Sequence, residues 1–255
     1  MIARQIDAMA ELKSAFDVLT KNFTLAAIPT VALVLIGCLF AIVALATGAS
    51  ALLSGGFNDP TILMSALAGG AFFFGIALII AIIVSLIAQA AVIAASEAAW
   101  AGRQPDLGAG VGRAFSKAGE LFLAGLVLAI IAIAVSWTFV GLIALGFLMM
   151  YVAPAIVLGG EGAMAALGTS WRMSTQNFGP TAGAFLGLIV AGIAAGIINA
   201  ILGHIPIIGW IGILVVYGFV SAYQALVIVR FYDLLRTAPA APPPISSGPP
   251  PTPVS

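Results

Sequence analysis

Residues 121–159 read LFLAGLVLAIIAIAVSWTFVGLIALGFLMMYVAPAIVLG, a run of 39 residues without a charged side chain. As one helix this run would be about 58 Å long, roughly twice the hydrocarbon thickness of a bilayer. It therefore predicts two membrane-spanning helices, separated by a tight turn near Trp137–Gly141. One long helix is the alternative, but no bilayer is thick enough to hold it. Pro154 is expected to kink the second of the two helices.

The composition of the whole chain indicates the same class of protein. Of its 255 residues, 62% are hydrophobic and only 7% are charged, whereas soluble domains carry about 25% charged residues. So few charges could not cover a water-facing surface of this size, and the mean hydropathy is +1.21. The apolar runs are continuous and not alternating, which excludes a transmembrane β-barrel. The composition therefore predicts an all-α bundle of transmembrane helices.

The other apolar runs predict four further spans by the same argument. The 40 residues from 61 to 100 are too long for one span. A short outer helix (61–68) is therefore expected to end at Gly69-Gly70, where the second span begins. Residues 1–236 are predicted to form one membrane domain. Its spans are expected at residues 23–47, 71–96, 121–138, 141–159, 180–202 and 207–230.

Three amphipathic segments each precede a pair of predicted spans, at residues 1–22, 103–121 and 161–178. In each segment apolar residues recur every three or four positions, with polar and charged residues between them, which is typical of an amphipathic helix. Such helices are expected to lie in the membrane interface. The C-terminal segment, 237–255, has eight prolines and no charge, and we expect a disordered or polyproline-like tail.

All nine lysine and arginine residues lie in the three amphipathic segments or at the end of the last span. With six spans these segments face the same side, and the three loops on the other side contain no lysine or arginine. Because basic residues stay in the cytoplasm during insertion, both termini and the amphipathic helices are expected on the cytoplasmic side of a cell (inner or plasma) membrane.

An internal repeat is indicated by aromatic pairs that stand seven residues apart, two helical turns on one face. Each pair directly precedes two spans, so the repeating unit is an interfacial helix followed by a hairpin of membrane helices, used three times. The alternative is that any interfacial helix favours aromatic residues at headgroup depth. The pairs are Phe16 and Phe23, Phe115 and Phe122, and Trp171 and Phe178.

The candidate functional residues fall into two groups. Polar side chains inside spans are costly in lipid and usually face the bundle interior, and Gln89, Glu97 and Asn199 are of this kind. They are candidates for a transport path, with hydrogen bonds between helices as the alternative. The second group consists of basic and aromatic residues expected to contact lipid at the interface: Lys13, Phe16, Phe23, Phe115, Lys117, Trp171, Arg172 and Phe178.

The glycines of the fifth span, the histidine and the cysteine give little evidence for a functional site. Glycines four apart in the fifth span, Gly183 with Gly187 and Gly192 with Gly196, predict close helix packing, with a dimer interface as the alternative. The single histidine, His204, has no second metal ligand in its loop. The single cysteine lies inside the first span. No catalytic residue, metal or cofactor is therefore expected.

The segment from Val157 to Phe178 resembles a family of six-span, uncharacterised bacterial and archaeal membrane proteins. This family is related to the membrane domain that precedes some glycerophosphodiester phosphodiesterases. One departure is the family's Pro-Gly turn, which reads Val140-Gly141 here. The resemblance implies the six-span topology and no established activity. The matching residues are Glu161, Ala166, Leu167, Ser170, Trp171, Arg172, Asn177 and Phe178, with Ser14, Phe16, Asn22 and Phe23 as their N-terminal counterparts.

These features predict a non-enzymatic membrane protein that organises lipid or a partner at the inner leaflet. The expected partners are the bilayer, including anionic phospholipid, and a protein partner or a second copy of the chain; nucleic acid is not expected. The alternative is a small transporter or channel for a lipid or small solute. A transporter should have a polar cavity lined by Gln89, Asn199 and Glu97, whereas a lipid organiser should have a dry core and a lateral groove.

Overall fold

A computed structural model describes residues 6–53, 60–205 and 208–237, and every regular element in these ranges is a helix. Six helical stretches within them are long and apolar enough to cross a membrane. The predicted all-α bundle with six spans is thus confirmed. The predicted tail (237–255) lies outside the described residues except for Thr237, which ends the last helix. The six stretches are Phe23–Thr47, Ala68–Trp100, Ala118–Val135, Phe139–Val157, Phe178–Leu202 and Gly209–Thr237.

The helices follow one another with short connections. A 3-10 turn at Phe23–Ala26 joins the first helix to the second. The α-helices are α1 (Ala8–Lys21), α2 (Ala27–Leu53), α3 (Pro60–Trp100), α4 (Leu107–Ser116), α5 (Ala118–Val135), α6 (Phe139–Met149), α7 (Val152–Val157), α8 (Ala163–Gln176), α9 (Phe178–Leu202) and α10 (Ile208–Thr237).

The outward-facing side chains of the spans are large and apolar. Leu45, Phe72, Ile133, Val190 and Ile201 are all largely exposed. Exposed apolar surface on this scale is incompatible with water as the surrounding solvent and suits the hydrocarbon of a bilayer. The chain is accordingly an integral membrane protein.

Helix α3 is continuous over 41 residues, so the predicted break at Gly69-Gly70 and the separate outer helix (61–68) are wrong. At about 61 Å, α3 is longer than a bilayer's hydrocarbon is thick and must extend beyond it. Glycine weakens a helix by only about 1 kcal/mol, whereas a broken helix in lipid leaves backbone groups without partners. Gly70 faces Thr47 of α2, whose Cγ2 would lie 3.4 Å from an added Cβ, an ordinary contact distance.

The third and fourth spans are separated by a turn at Ser136–Thr138, where the sequence predicts one. Thr138 caps α6, and its hydroxyl accepts a hydrogen bond from the Gly141 N–H at 3.1 Å. The fourth span is itself interrupted at Met150 and Tyr151, between α6 and α7. Pro154 explains this interruption, because proline has no N–H to donate to the carbonyl four residues earlier.

Three short helices, α1, α4 and α8, lie next to one another's membrane hairpins in a circular arrangement. Helices α4 and α8 each pack on spans that come before them in the chain, and α1 closes the circle by packing on the last two spans. Helix α4 contacts α3, α8 contacts α5, α6 and α7, and α1 contacts the last pair, α9 and α10. We call the end of the bundle that these helices form with the C-terminal ends of α3 and α10 the charged end.

Helix α1 is more deeply packed than a helix that simply floats in the interface. It buries Leu12 and Leu19 in the core. Two glycines of α9 leave room for it: a Cβ at Gly183 would lie 2.6 Å from the Cβ of Ala8, and Gly187 lies against Leu12. A Cβ at Gly192 or Gly196, further along α9, would meet no atom of another described element within 4 Å.

Candidate functional site

The charged end is held together first by Arg230 of α10. Its Nε donates to Oε2 of Glu11 on α1 at 2.7 Å, and its guanidinium lies 4.9 Å from the ring centroid of Trp100. The indole N–H of Trp100 donates to the Leu226 carbonyl at 3.0 Å. These contacts connect α1, α3 and α10, so Arg230 serves the packing of the bundle.

Two carboxylates at the charged end have defined partners. Glu97, a predicted intramembrane candidate, accepts a hydrogen bond from Nη1 of Arg113 at 2.8 Å and is about half exposed. Glu120 at the start of α5 accepts from the Ala163 N–H at 2.7 Å. A carboxylate placed there satisfies a free N–H at the start of α8 and interacts favourably with the helix dipole. Glu97 and Glu120 thus fix α4 and α8 to the spans.

The Asn-Phe pairs end two of the three short helices in the same way. Nδ2 of Asn22 donates to the Val18 carbonyl at 2.9 Å, and Nδ2 of Asn177 donates to the Met173 carbonyl at 3.1 Å. Helices α1 and α8 both have 14 residues. Lys117 stands at the end of α4, and lysine has no side-chain amide to donate this hydrogen bond. The shared Asn-Phe pattern therefore marks a helix end.

The predicted lipid-contacting aromatic residues face outward. Phe16 is 48% exposed, Phe115 61% and Trp171 52%. Phe23 and Phe178 are also exposed. Phe219 is a ring neighbour of both Phe16 and Phe23, and Phe147 is a ring neighbour of Phe178. No ring contact within the described residues joins the aromatic residues of α1, α4 and α8, so they are separate positions around the charged end.

The basic residues divide into paired and unpaired ones. Within the described residues, ion pairs are formed by Arg113, Arg230 and Arg236. The predicted lipid-contacting residues Lys13 and Arg172 are exposed and Lys117 is half-buried. The described basic side chains that form no ion pair are Lys13, Lys21, Arg103, Lys117 and Arg172.

A pocket of about 460 Å³ lies between five of the six spans. Its lining comes from α3, α5, α6 with α7, α9 and α10, and is apolar except for Gln89 of α3 and Gln224 of α10. We call it the glutamine pocket. Neither glutamine forms a hydrogen bond with a described residue. Gln89 lies eight residues before Glu97 on α3, about 12 Å from the charged end along the helix axis.

Only one of the three predicted intramembrane residues lines the glutamine pocket. Gln89 lines the glutamine pocket, whereas Glu97 and Asn199 do not. Asn199 lies near the C-terminal end of α9. Its Oδ1 is buried without a hydrogen-bond partner among the described residues. Gln224 was not predicted, although it stands alone among apolar residues of the last span just as Gln89 does in the second.

Serines of α8 complete the hydrogen bonding of the interrupted fourth span. Ser170 Oγ donates to the Leu148 carbonyl at 2.8 Å and accepts from the Tyr151 N–H at 3.1 Å. Ser174 Oγ lies 3.2 Å from the Leu148 carbonyl. Both serines and Tyr151 are fully buried. Sequence reasoning missed this role, because only the folded chain brings α8 beside the interruption that Pro154 causes.

Comparisons with known proteins identify no relative: no protein-family model, no curated protein and no solved structure matches the chain. The resemblance to the six-span family related to the glycerophosphodiester phosphodiesterase membrane domain therefore stays a prediction. Two residues that carry it, Ser170 and Asn177, have structural roles here. Within the described residues, no group of three or more histidine, cysteine, aspartate or glutamate side chains could hold a metal ion.

Proposed function

We propose that this integral membrane protein is non-enzymatic and organises anionic phospholipid at the leaflet next to its charged end. The observation that carries the proposal is the pairing of an exposed aromatic residue with an unpaired basic residue on each of the three short helices. Aromatic side chains favour headgroup depth, and basic ones attract anionic lipid. The pairs are Phe16 with Lys13, Phe115 with Lys117, and Trp171 with Arg172.

The difference between basic residues that form ion pairs and those that form none supports this proposal. Arg113 and Arg230 already have carboxylate partners, which reduces what they can offer a lipid phosphate. Lys13, Lys117 and Arg172 have none among the described residues, and one lies on each short helix. Because α1, α4 and α8 pack in circular order, the three positions surround the charged end, as a threefold repeat of helix and hairpin would place them.

The same proposal places the charged end in the cytoplasm. The eight lysine and arginine residues that the structure describes all lie in or beside its helices, and basic residues are retained on the cytoplasmic side during insertion. Anionic lipids are concentrated in the cytoplasmic leaflet of cell membranes. The organised lipid would then be a phospholipid of the inner leaflet of the cell membrane.

A transporter is the second candidate, and one observation favours it: the glutamine pocket brings two amides together between the spans. Asn199 and Glu97, which a polar path was expected to include, lie outside the pocket. No charged side chain lines it either. This lining fits a site that holds a lipid better than a path for a polar solute.

Native mass spectrometry of the full chain tests the proposal. The protein is released from nanodiscs with equal amounts of phosphatidylglycerol and phosphatidylcholine, and the retained lipids are counted. The wild type should retain phosphatidylglycerol in excess. Lys13→Gln, Lys117→Gln and Arg172→Gln combined should lower this excess by about fivefold per charge, because each basic residue near an anionic surface contributes about 1 kcal/mol.

The matched control preserves the charges: Lys13→Arg, Lys117→Arg and Arg172→Lys combined should retain the wild-type excess. Equal retention of the two phospholipids by the wild type would contradict the proposal. So would an unchanged excess in the charge-removing variant.

A further inference from the structure

The glutamine pocket contains two amide side chains in a lining that is otherwise apolar; Gln89 is exposed and Gln224 is half-buried. Gln89 and Gln224 line it together and form no hydrogen bond with any residue that the structure describes. Each amide carries two N–H donors and an acceptor oxygen, and leaving such groups unpaired in an apolar environment costs about 1–3 kcal/mol by protein mutational data. A molecule in the pocket that pairs with both amides would remove this cost.

The rest of the lining is apolar and adaptable. Ile93 and Leu128 contribute aliphatic surface, and Met149 and Met150 contribute flexible thioether side chains that adjust to irregular shapes. Away from the two amides the lining offers no polar side chain, so a water there would lack the two to four polar partners that a buried water needs. The lining therefore favours an occupant that is mostly hydrocarbon.

The uncharged lining and the volume of the pocket exclude two classes of occupant, charged headgroups and whole two-chain phospholipids. No charged side chain lines the pocket, and Arg230, two residues beyond the lining residue Ile228, is engaged by Glu11. A charged headgroup would thus be buried without a counter-ion, which is strongly unfavourable. A volume of about 460 Å³ lies within the range of small-molecule sites and is too small for a whole two-chain phospholipid.

We propose that the glutamine pocket binds one single-chain lipid with a neutral hydrogen-bonding group, a hydroxyl or an ester, which Gln89 and Gln224 hold about 12 Å inside the charged end. This site goes beyond the proposed organisation of anionic phospholipid. None of the residues assigned to headgroup contact lines the pocket, so either proposal can fail without the other.

A matched series of C16 probes tests the proposal on the full chain in nanodiscs. Hexadecanol, hexadecane and palmitate have the same chain length and differ only in the polar group. Hexadecanol should bind with one-to-one saturation in native mass spectra. Hexadecane and palmitate should each bind about tenfold more weakly, hexadecane for lack of hydrogen bonds and palmitate because its charge would be unpaired.

Variants then locate the binding. Gln89→Leu and Gln224→Leu should each weaken hexadecanol binding by about threefold to tenfold, the value of a hydrogen bond, and leave hexadecane binding unchanged. Ala153→Phe, which fills the pocket, should abolish binding of both probes. Asn199→Leu, which removes an intramembrane amide outside the pocket, should bind hexadecanol like the wild type.

A diazirine-bearing hexadecanol gives a second measurement that does not depend on how stable the variants are. In the wild type, photolabelling should fall on peptides from α5, α7 and α10. Labelling spread over the lipid-facing surface would overturn the proposal. Equal binding of palmitate and hexadecanol, or unchanged hexadecanol binding in both glutamine variants, would also overturn it.

Discussion

The charged end and the glutamine pocket lie about 12 Å apart along α3. They differ in whether their polar side chains have hydrogen-bond partners. At the charged end Glu11, Glu97 and Glu120 each have a partner. In the pocket Gln89 and Gln224 have none within the described residues. Gln89 is exposed and Gln224 half-buried, whereas the buried side-chain atoms without a partner among the described residues are Oε2 of Glu161 and Oδ1 of Asn199. The paired carboxylates therefore explain how the bundle is held together, while the two amides of the pocket are free to pair with something that the bundle binds.

The largest effect in this comparison is expected from Ser170→Ala. The substitution leaves the buried Tyr151 N–H without its partner, while the Leu148 carbonyl loses one of two serine donors and keeps Ser174. The free energy of unfolding should fall by about 1–3 kcal/mol. Equilibrium unfolding in mixed micelles with increasing SDS measures this. Thr175→Ala is the control on the same helix, because its exposed hydroxyl bonds only to its own helix. Equal effects of the two substitutions would contradict the role of Ser170.

A smaller effect is expected from the pair of Arg230 and Glu11. A double-mutant cycle with Arg230→Ala and Glu11→Ala should give a coupling free energy of about 1 kcal/mol, because the pair is partly buried. The same unfolding measurement applies. The control cycle uses Arg236 and Asp233, an exposed pair within one helix, whose coupling should be within about 0.5 kcal/mol of zero. Similar coupling in both cycles would show that Arg230 does not hold α1 in place.

The glutamine pocket predicts a change of the opposite sign. In detergent without added lipid, Gln89→Leu and Gln224→Leu should each raise the free energy of unfolding by about 1 kcal/mol, since an unpaired amide is replaced by an apolar group. Gln176→Leu, at the exposed end of α8, should leave it nearly unchanged. Destabilisation by both pocket substitutions would mean that the two amides have partners that hold the spans together.

The smallest expected effect concerns the helix ends. Asn22→Ala and Asn177→Ala each remove one amide hydrogen bond to the preceding turn. Each should lower the free energy of unfolding by about 0.5–1 kcal/mol. Lys117→Ala, at the corresponding position of α4, should have less effect. Clearly different values for the two asparagines would count against the internal repeat.

The six spans and the turn near Trp137 could be predicted because lipid leaves few options to the backbone. A long apolar run must become a helix, and its length sets how many times it can cross. The prediction at Gly69-Gly70 is wrong because a glycine weakens a helix by only about 1 kcal/mol, and α3 continues through both glycines.

The candidate site could be predicted only in part, because it depends on which helices become neighbours. Gln89 is recognisable as a polar residue in an apolar helix. A single sequence does not indicate that Gln224, on the last span, faces the same pocket. It does not place Ser170 beside Leu148 either, or show that Glu97 pairs with Arg113. These are contacts between distant parts of the chain, which periodicity and hydropathy do not encode.

The docking of α1 on α9 and α10 has a consequence for how the chain is made. Glu11 leaves the ribosome long before Arg230, which is 219 positions further along. At translation rates of about 5–20 residues per second, α1 waits roughly ten to forty seconds for its binding site to be synthesised. Helix α1 therefore emerges before the other described helices but can complete its packing only after α10 has been made, and the pair of Glu11 and Arg230 forms only then.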